Sequence, residues 1–491
     1  MALLLSGDLI PAEQAGEWGL VSRVVPDGQA LTEATALAQR IAANSPLAVA
    51  LAKDAALQAL ETSLAQGLEH EKRNFYVAIH SADSREGQSA FLGKRTPEFT
   101  GEQETMSELF PDYRSPWESD DQAMLRKHAA DFFRKELTPN VARWAANHEV
   151  DRDFWNKAGA AGLLCLDIPE TYGGGGGDFG HEAIVQQELA KAQDGGFGFA
   201  VHSTIVAHYL NTYATDEQKK RWLPKCASGE SVLAIAMTEP GTGSDLQGVR
   251  TTAVREGDHY VVNGSKTFIS NASHCDLLVI VAKTDPTQGA KGISLLVAET
   301  DGLQGFERGR VLEKIGQHGQ DTRELAFTDM RVPVENLLGG VEGQGLYQLM
   351  NQLQRERLIL GVGGIAVAEA AVTEAISYAK QREAFGKPII EFQNTKFVLA
   401  ECKTEVLAGK TLMDHCIAQQ IAGTLDPATA SMAKLWGTER QGEIVDRCLQ
   451  IFGGYGYMVE YPIARMYADA RVQRIYGGTS EIMKELIGRS L

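Results

Sequence analysis

Hydrophobic positions change period along the chain, and each period predicts a different kind of element. Near the start, Leu47, Leu51, Leu57 and Leu60 form an apolar stripe at helical spacing. The preceding Asn44-Ser45-Pro46 offers an N-cap and a proline for the first turn. A second helix is expected from about Thr62-Ser63, carrying Leu64, Leu68, Phe75 and Ile79. Upstream, the apolar run at 19–26 ends in Pro26 and reads as a short strand. Residues 118–230 are again helical in spacing, broken by five glycines at 173–177. That run lacks the Lys-Ser/Thr of a phosphate loop and reads as a flexible turn. Strand-like segments follow at 231–238, 259–262, 277–283, 292–298 and 324–327, separated by Gly, Asp and Pro. Long helical patterns return at 344–380, 391–420, 427–451 and 461–474. Helix, then sheet, then helix predicts a multidomain α+β chain, without the alternating βαβ units of a Rossmann sheet.

Composition narrows the class. A chain of 491 residues is expected to form several domains. Residues 94–116 hold Pro97, Pro111 and Pro116 with no sustained period and read as a linker. The formal net charge of −17 argues against nucleic acid or an anionic membrane as the main partner, but leaves room for a local basic pocket. The cysteines (165, 226, 275, 402, 416 and 448) form no CxxC pair, which fits reduced thiols rather than a disulfide framework or zinc site. No His-x-x-x-His pair occurs either, so no metal site is expected. No uninterrupted apolar run reaches the roughly 18–20 residues of a membrane helix. The first residues lack the basic and apolar stretches of a signal peptide. A soluble, cytoplasmic protein without membrane insertion is expected. Cysteine is absent before Cys165, and Met106 is a second plausible start.

Several motifs carry candidate chemistry, each with a plainer alternative. Thr238-Glu239-Pro240-Gly241-Thr242-Gly243-Ser244-Asp245 follows an apolar strand; its glycines and hydroxyls suit a flat polar ring or phosphate, and equally an ordinary strand-exit turn. Phe268-Ile269-Ser270-Asn271 places an aromatic beside a hydroxyl, or a core Phe on a half-buried strand. Arg382 and Gln393 flank a helix break, where Arg382 suits a pyrophosphate or forms a solvated basic turn. The glycines of Gln450-Ile451-Phe452-Gly453-Gly454-Tyr455-Gly456-Tyr457 admit close backbone approach, or a tight helix–helix connection. Ile475-Tyr476-Gly477-Gly478-Thr479-Ser480-Glu481 leads into a final helix that Ser480 is placed to cap and whose N-terminus suits an anion. Glu356, between Arg355 and Arg357, reads as a solvated surface carboxylate unless it faces a cleft and reaches an acidic proton.

Taken in this order and spacing, the segments at 238–245, 268–271, 381–389, 450–457 and 475–489 resemble the acyl-CoA dehydrogenase family from about Met106 to Leu491. The resemblance implies a helical domain at 118–230, a β-barrel domain at 231–340 and a C-terminal four-helix bundle at 341–491, after a linker at 102–117. It also implies FAD as cofactor, acyl-CoA as substrate, electron-transfer flavoprotein as partner and a homotetramer. Many members carry their catalytic base as IYEGT, where this chain has Gly477. The chain is similar instead to the long-chain and isovaleryl branch, which implies Glu356 as the base and a medium- to long-chain substrate in fatty acid β-oxidation. Carried over by position, Ile235, Ala236, Met237, Thr238, Glu239, Pro240, Gly241, Thr242, Gly243 and Ser244 would line the flavin, with Ser244 also near substrate. Phe268, Ile269 and Ser270 would meet the isoalloxazine. Arg382, Gln393, Gln450, Ile451, Phe452, Gly453 and Gly454 would reach the FAD of a neighbouring subunit. Thr479, Ser480 and Glu481 would hold its adenosine-pyrophosphate side. Tyr347, Gln354, Arg357, Gly477 and Gly478 would border the acyl-CoA, with the Gly477 N–H as oxyanion donor.

Residues 1–101 resemble the C-terminal part of an enoyl-CoA hydratase/isomerase (crotonase), through LLLSGDLIPAEQAGEWGLVSRVVPDG, ANSPLAVALAK and SREGQSAFLGKRTPEFTG. The family's catalytic glutamates and oxyanion hole lie upstream of this part, so no hydratase activity is expected. An oligomerisation remnant, a fused neighbour and a start at Met106 are the open origins of the segment. Rival readings of the longer part are an acyl-CoA oxidase of the same fold and a non-catalytic scaffold, the latter suggested by Gly477.

Overall fold

The computed structural model describes residues 9–79, 81–99, 109–192 and 195–491. The chain divides into two compact units, Met1–Ser107 and Glu108–Leu491. Met106 lies outside the described residues, as do 100–105 of the expected linker.

The first unit holds α1 (Ala12–Glu17), α2 (Ala30–Ala42), α3 (Pro46–Glu61), α4 (Leu64–Ile79) and α5 (Ala82–Leu92). Ser45 caps α3 as its sequence suggests, its hydroxyl accepting from Ala48 N at 3.2 Å with Pro46 in the first turn. The apolar stripes of α3 and α4 are not buried: Leu57, Leu60, Leu64, Leu68 and Phe75 are all exposed, because the described helices of this unit supply no second layer to cover them. The strand expected at 19–26 is turn and irregular chain, with Val21 and Val24 exposed. A strand needs a neighbour to take its N–H and C=O groups, and none of the described residues here provides one.

The second unit begins with α6 (Asp120–Phe132), α7 (Val141–Asn147), α8 (Arg152–Ala160), α9 (Phe179–Lys191), α10 (His208–Tyr213) and α11 (Asp216–Ala227). The glycine run between α8 and α9 is not a flexible turn. Gly175, Gly176 and Gly177 donate to the carbonyls of Cys165, Ile168 and Leu166 at 2.8–3.2 Å, and a Cβ on Gly174 would strike the Ile168 backbone. The glycines are there because two chain segments touch at backbone distance.

A seven-stranded sheet follows: β1 (Val232–Ala236), β2 (Thr252–Glu256), β3 (His259–Ser270), β4 (Cys275–Lys283), β5 (Ile293–Glu299), β6 (Phe306–Val311) and β7 (Thr322–Pro333). Its order is β1-β4-β2-β3-β7-β6, with β5 paired to β4. β1 lies parallel to β4, whereas β5 and β7 are antiparallel to their partners β4 and β3. Sequence periodicity missed β2 and β6, whose residues are largely polar and exposed (TAVRE and FERGRV). On β4 the alternation is clear: Leu277, Val279 and Val281 join the core shared with the N-terminal helices, while Leu278, Ile280 and Ala282 join a core beneath the sheet. Both faces are buried, so the strand reads as one continuous apolar run.

The C-terminal helices are α12 (Gly345–Gln381), α13 (Gln393–Ile421), α14 (Pro427–Ile451), α15 (Pro462–Ala470) and α16 (Ser480–Gly488), with a small hairpin β8 (Glu383–Ala384) and β9 (Lys387–Pro388) after α12. Among the described residues α12 is the one helix long and apolar enough to cross a membrane, although Glu369 and Glu374 interrupt its apolar run. Of its apolar window 72% is buried, and Arg355, Glu356 and Arg357 stand directly before the apolar stretch that begins at Leu358, so its hydrophobicity serves the bundle core.

Candidate active site

Glu356 is not the solvated carboxylate that its two arginine neighbours suggest. It lies on α12 at 6% exposure, and Arg355 and Arg357 are buried too. Arg355 and Glu356 are engaged by different partners. Arg355 pairs with Asp167 at 2.5 Å and donates Nε to Thr204 O at 2.7 Å, while Glu356 Oε1 accepts the Tyr209 O–H at 2.7 Å. Burial pushes the Glu356 carboxyl up to about 7, against the opposing pull of the Tyr209 hydrogen bond and the Arg357 charge. A carboxyl tuned near neutrality is suited to take a proton from carbon.

Gly477 and Gly478 stand against the same helix. Both have positive φ (64° and 99°), and a Cβ on Gly477 would collide with Leu360 Cδ1, one turn beyond Glu356. A glutamate at 477 would therefore need a left-handed backbone and the space that Leu360 fills, which gives a physical reason for the base to stand elsewhere. Among the described residues the Gly477 N–H has no partner within the chain. Lys434, fully buried on α14, donates to Gly478 O at 2.7 Å and fixes this loop. Gly477→Ala is expected to cost about 1–2 kcal/mol of stability from the left-handed backbone. It should also slow substrate oxidation by shifting the N–H, measurable as a lower thermal midpoint together with slower flavin bleaching.

The residues that sequence assigned to a flavin separate by what their side chains do. Pro240, Gly241, Gly243 and Ser244 are exposed on the loop after β1, and a Cβ on Gly241 would meet nothing within 4 Å. Glu239 and Thr242 close that loop by exchanging backbone hydrogen bonds at 2.9 and 3.0 Å. The Glu239 side chain is turned inward, accepting from Arg250 N, Thr251 N and Lys266 Nζ at 2.6–2.9 Å. Burial alone would raise its carboxyl, but these donors hold it below the usual range. A register shift between Lys266 and Ile269 on β3 flips Phe268 to φ 60° and leaves its ring 65% exposed, while Ile269 and Ala236 are buried beneath the sheet. Ile235, Met237, Thr238 and Ser270 are half-buried. An open glycine loop beside an outward aromatic is a cradle that a planar ring would cover, so these residues fit a flavin.

A second group gathers at one end of the bundle. The Phe452 ring stacks on Tyr378 at 4.2 Å, bringing the 450–454 turn next to the end of α12. Arg382, Gln393, Gln450, Gly453 and Gly454 are exposed there, Ile451 is half-buried, and the Phe452 ring is enclosed. In the final turn Thr479, not Ser480, caps α16, accepting from Ile482 N at 3.3 Å. Ser480 instead donates to Glu439 at 2.6 Å because its side chain faces α14, while Glu481 is exposed in the first turn. Tyr347 is exposed and Gln354 half-buried; seven residues apart, they share the outer side of α12, whereas Arg357 is buried beside Glu356 with its Nε lacking a hydrogen-bond partner. Sequence reasoning missed Tyr209, Lys266 and Lys434. Each acts through a partner distant in sequence, 147 residues away in the case of Tyr209 and Glu356, and no local pattern marks them.

Comparison with known proteins agrees with this geometry. The chain matches the family descriptions "Acyl-CoA dehydrogenase, N-terminal domain" over 119–230, "middle domain" over 234–330 and "C-terminal domain" over 343–491. Residues 1–103 match "Enoyl-CoA hydratase/isomerase". The mitochondrial long-chain specific acyl-CoA dehydrogenase of Sus scrofa is 45% identical over 375 residues, 76% of this chain and 87% of that protein. The crystal structure of an acyl-CoA dehydrogenase from Geobacillus kaustophilus superposes with a TM-score of 0.75 at 46% identity, covering 77% of this chain and 99% of that one. An acyl-CoA dehydrogenase from Bacillus anthracis, solved in complex with FAD, has a TM-score of 0.73 at 32% identity and covers 78% and 69%. The chain thus belongs to the acyl-CoA dehydrogenase family of FAD-dependent oxidoreductases and carries, ahead of that enzyme, a segment of the enoyl-CoA hydratase/isomerase family.

Proposed function

We propose that the enzyme converts a medium- to long-chain acyl-CoA to its trans-2-enoyl-CoA, with Glu356 as the base. The observation that carries this reading is the buried Glu356 carboxyl, pushed up to about 7 on a helix packed against the Gly477 loop. An α-proton of a thioester is a weak acid, so its removal needs a base held near neutrality and a donor for the enolate oxygen. The unengaged Gly477 N–H serves as that donor; one such hydrogen bond is typically worth ~3–4 kcal/mol. Ser244, Tyr347, Gln354, Arg357 and Gly478 border the thioester and its CoA arm. FAD, when bound, would supply the hydride acceptor that this reaction needs, and the protein's part is to orient and shield it. Pro240 to Ser244 with Phe268 and Ser270 hold the ring, and Glu239 shapes the loop from within. Arg382, Gln393 and the 450–454 turn serve the cofactor of a neighbouring subunit in a homotetramer, and Thr479 to Glu481 its pyrophosphate side. Electron-transfer flavoprotein is the acceptor in this reading, and the cytoplasm the compartment. The long-chain preference draws on the 45% identity to the long-chain specific relative.

Anaerobic bleaching of bound flavin by a panel of acyl-CoA thioesters tests cofactor, competence and chain length together. Bleaching confined to short chains would remove the chain-length assignment. Because the carboxylate form of Glu356 is the active one, kcat/KM should fall as pH drops through about 7, approaching tenfold per unit below it. A profile flat through neutrality would count against Glu356.

A further inference from the structure

Tyr209 reaches Glu356 from another element. Its phenol O–H donates to Glu356 Oε1 at 2.7 Å, and its ring is fully buried. The helix that carries it is locked against α12 by a ladder of polar contacts. His208 Nδ1 meets Gln352 Oε1 at 2.7 Å, Gln352 Nε2 donates to Thr212 Oγ1 at 3.3 Å, and the Tyr213 O–H donates to Gln348 O at 3.3 Å. Residues 348, 352 and 356 fall four apart on α12 and so present one face to α10. A π-helical stretch, Ala200–Ala207, leads directly into α10 and sets the register in which Tyr209 meets the carboxylate. Tyr209 therefore has no freedom to swing away without breaking the ladder.

The geometry points to Tyr209 as a positioning residue for the base: its phenol holds Oε1 of Glu356 and leaves Oε2 as the oxygen that receives the substrate α-proton. This deepens, and rests on, the reading of Glu356 as base. The choice of a neutral donor has a chemical consequence. Arg355, next in sequence, is committed to Asp167 and Thr204, so Glu356 takes its hydrogen bond from a phenol and not from a guanidinium. A cation in that position would stabilise the carboxylate further and make it a weaker base, whereas a phenol fixes the group and depresses its basicity less.

The charged and titratable groups around the carboxylate are few. From α10 they are His208, Tyr209 and Tyr213; from its own helix Arg355, paired with Asp167, and Arg357; and from α14 Lys434, which faces Arg357. Burial holds His208 down at about 4, pushes Tyr209 well above the usual phenol range, and leaves Lys434 at about 8. Glu182 of α9, which accepts the Thr204 O–H at 2.7 Å beside the Arg355–Asp167 pair, is likewise pushed up by burial to about 7, so the transition is assigned to Glu356 through the infrared band that Glu356→Gln removes.

The test is Tyr209→Phe in the holoenzyme, with Glu356→Gln in parallel. Loss of the hydrogen bond to the charged form should raise the acid-limb midpoint of kcat/KM by about one unit, a roughly tenfold slower rate below it. KM and flavin content should stay near wild type, while the unfolding midpoint falls slightly because the buried Glu356 loses its phenol donor. The infrared C=O band of the protonated Glu356 carboxyl, identified by its absence in Glu356→Gln, should titrate with the same displacement, a readout independent of turnover. An unmoved limb and an unmoved infrared midpoint in Tyr209→Phe, with Glu356→Gln inactive, would overturn the role of Tyr209 alone. Full activity in Glu356→Gln would overturn the base assignment and this proposal with it. If Tyr209→Phe loses its flavin, a fluorotyrosine at position 209 keeps the ring size and strengthens donation. It should move the limb toward lower pH, and an unchanged limb would again overturn the proposal.

Discussion

Replacing Glu356 with glutamine is expected to slow acyl-CoA oxidation by between about 10²- and 10⁴-fold, the usual share of a positioned general base. The substitution is nearly isosteric, and the amide oxygen still accepts the Tyr209 O–H, so the fold and flavin content should be unchanged. What disappears is the carboxylate that burial holds up at about 7. Stopped-flow bleaching separates the chemical step from binding: the bleaching rate at saturating thioester should collapse while the dissociation constant for the thioester moves little. Loss of affinity with an intact rate would instead place Glu356 in substrate binding. The residual rate is informative too, because it reports what the Gly477 N–H and the orientation of the thioester supply without a base.

Lys266→Met is expected to be the most damaging single change in the sheet. Lys266 is fully buried on β3 and donates to Glu239 Oε1 at 2.9 Å and to the carbonyls of Met237 and Val281 at 3.0 and 2.7 Å. Burial draws its ammonium down to about 8, partly offset by Glu239, so it remains mostly charged at neutral pH. Removing the cation leaves Glu239 buried with only the Arg250 and Thr251 N–H groups, and leaves two carbonyls without this donor. Breaking a buried pair from one side typically costs about 3–5 kcal/mol. The two remaining N–H donors favour the lower end of that range. The damage should spread to the loop at 238–245, which Glu239 shapes from inside, so weaker flavin retention should accompany a drop of several degrees in the unfolding midpoint. Lys266→Met combined with Glu239→Gln should recover part of the loss, since the unpaired charge is then gone. If the double variant is no better than the single, the pair does not act as one unit.

Much of the architecture was legible because it depends on local rules. The period of 3.6 marked α12, α13 and α14 to within a residue or two, since long helices with apolar stripes leave little choice of boundary. The strands β1, β4 and β5 were legible as continuous apolar runs because both faces of the sheet are buried. Where one face meets solvent and the residues are polar, as in β2 and β6, the same rule failed. Local signals also misled at three places. Five glycines suggested mobility where backbone segments are pressed together; Ser480 resembled the cap that Thr479 supplies; and the apolar run at 19–26 lacked any strand to pair with.

The candidate site divides along the same line. Its membership was legible through motifs, because glycines, hydroxyls and a carboxylate at fixed spacing are written in the chain. The work of each side chain was not. Glu356 between two arginines reads as surface until Asp167, Thr204 and Tyr209, all remote in sequence, take up the neighbouring charge and the carboxylate itself. Glu239 reads as a ligand group until the fold turns it toward Lys266, and Phe268 reads as core until a register shift turns it outward. Sequence alone determined the order of elements, the family resemblance and the candidate residues, because propensity, period and motif spacing are local quantities. Burial and hydrogen-bond partnership decide which carboxylate is a base and which is a brace, and both are set by residues that meet only in the folded chain.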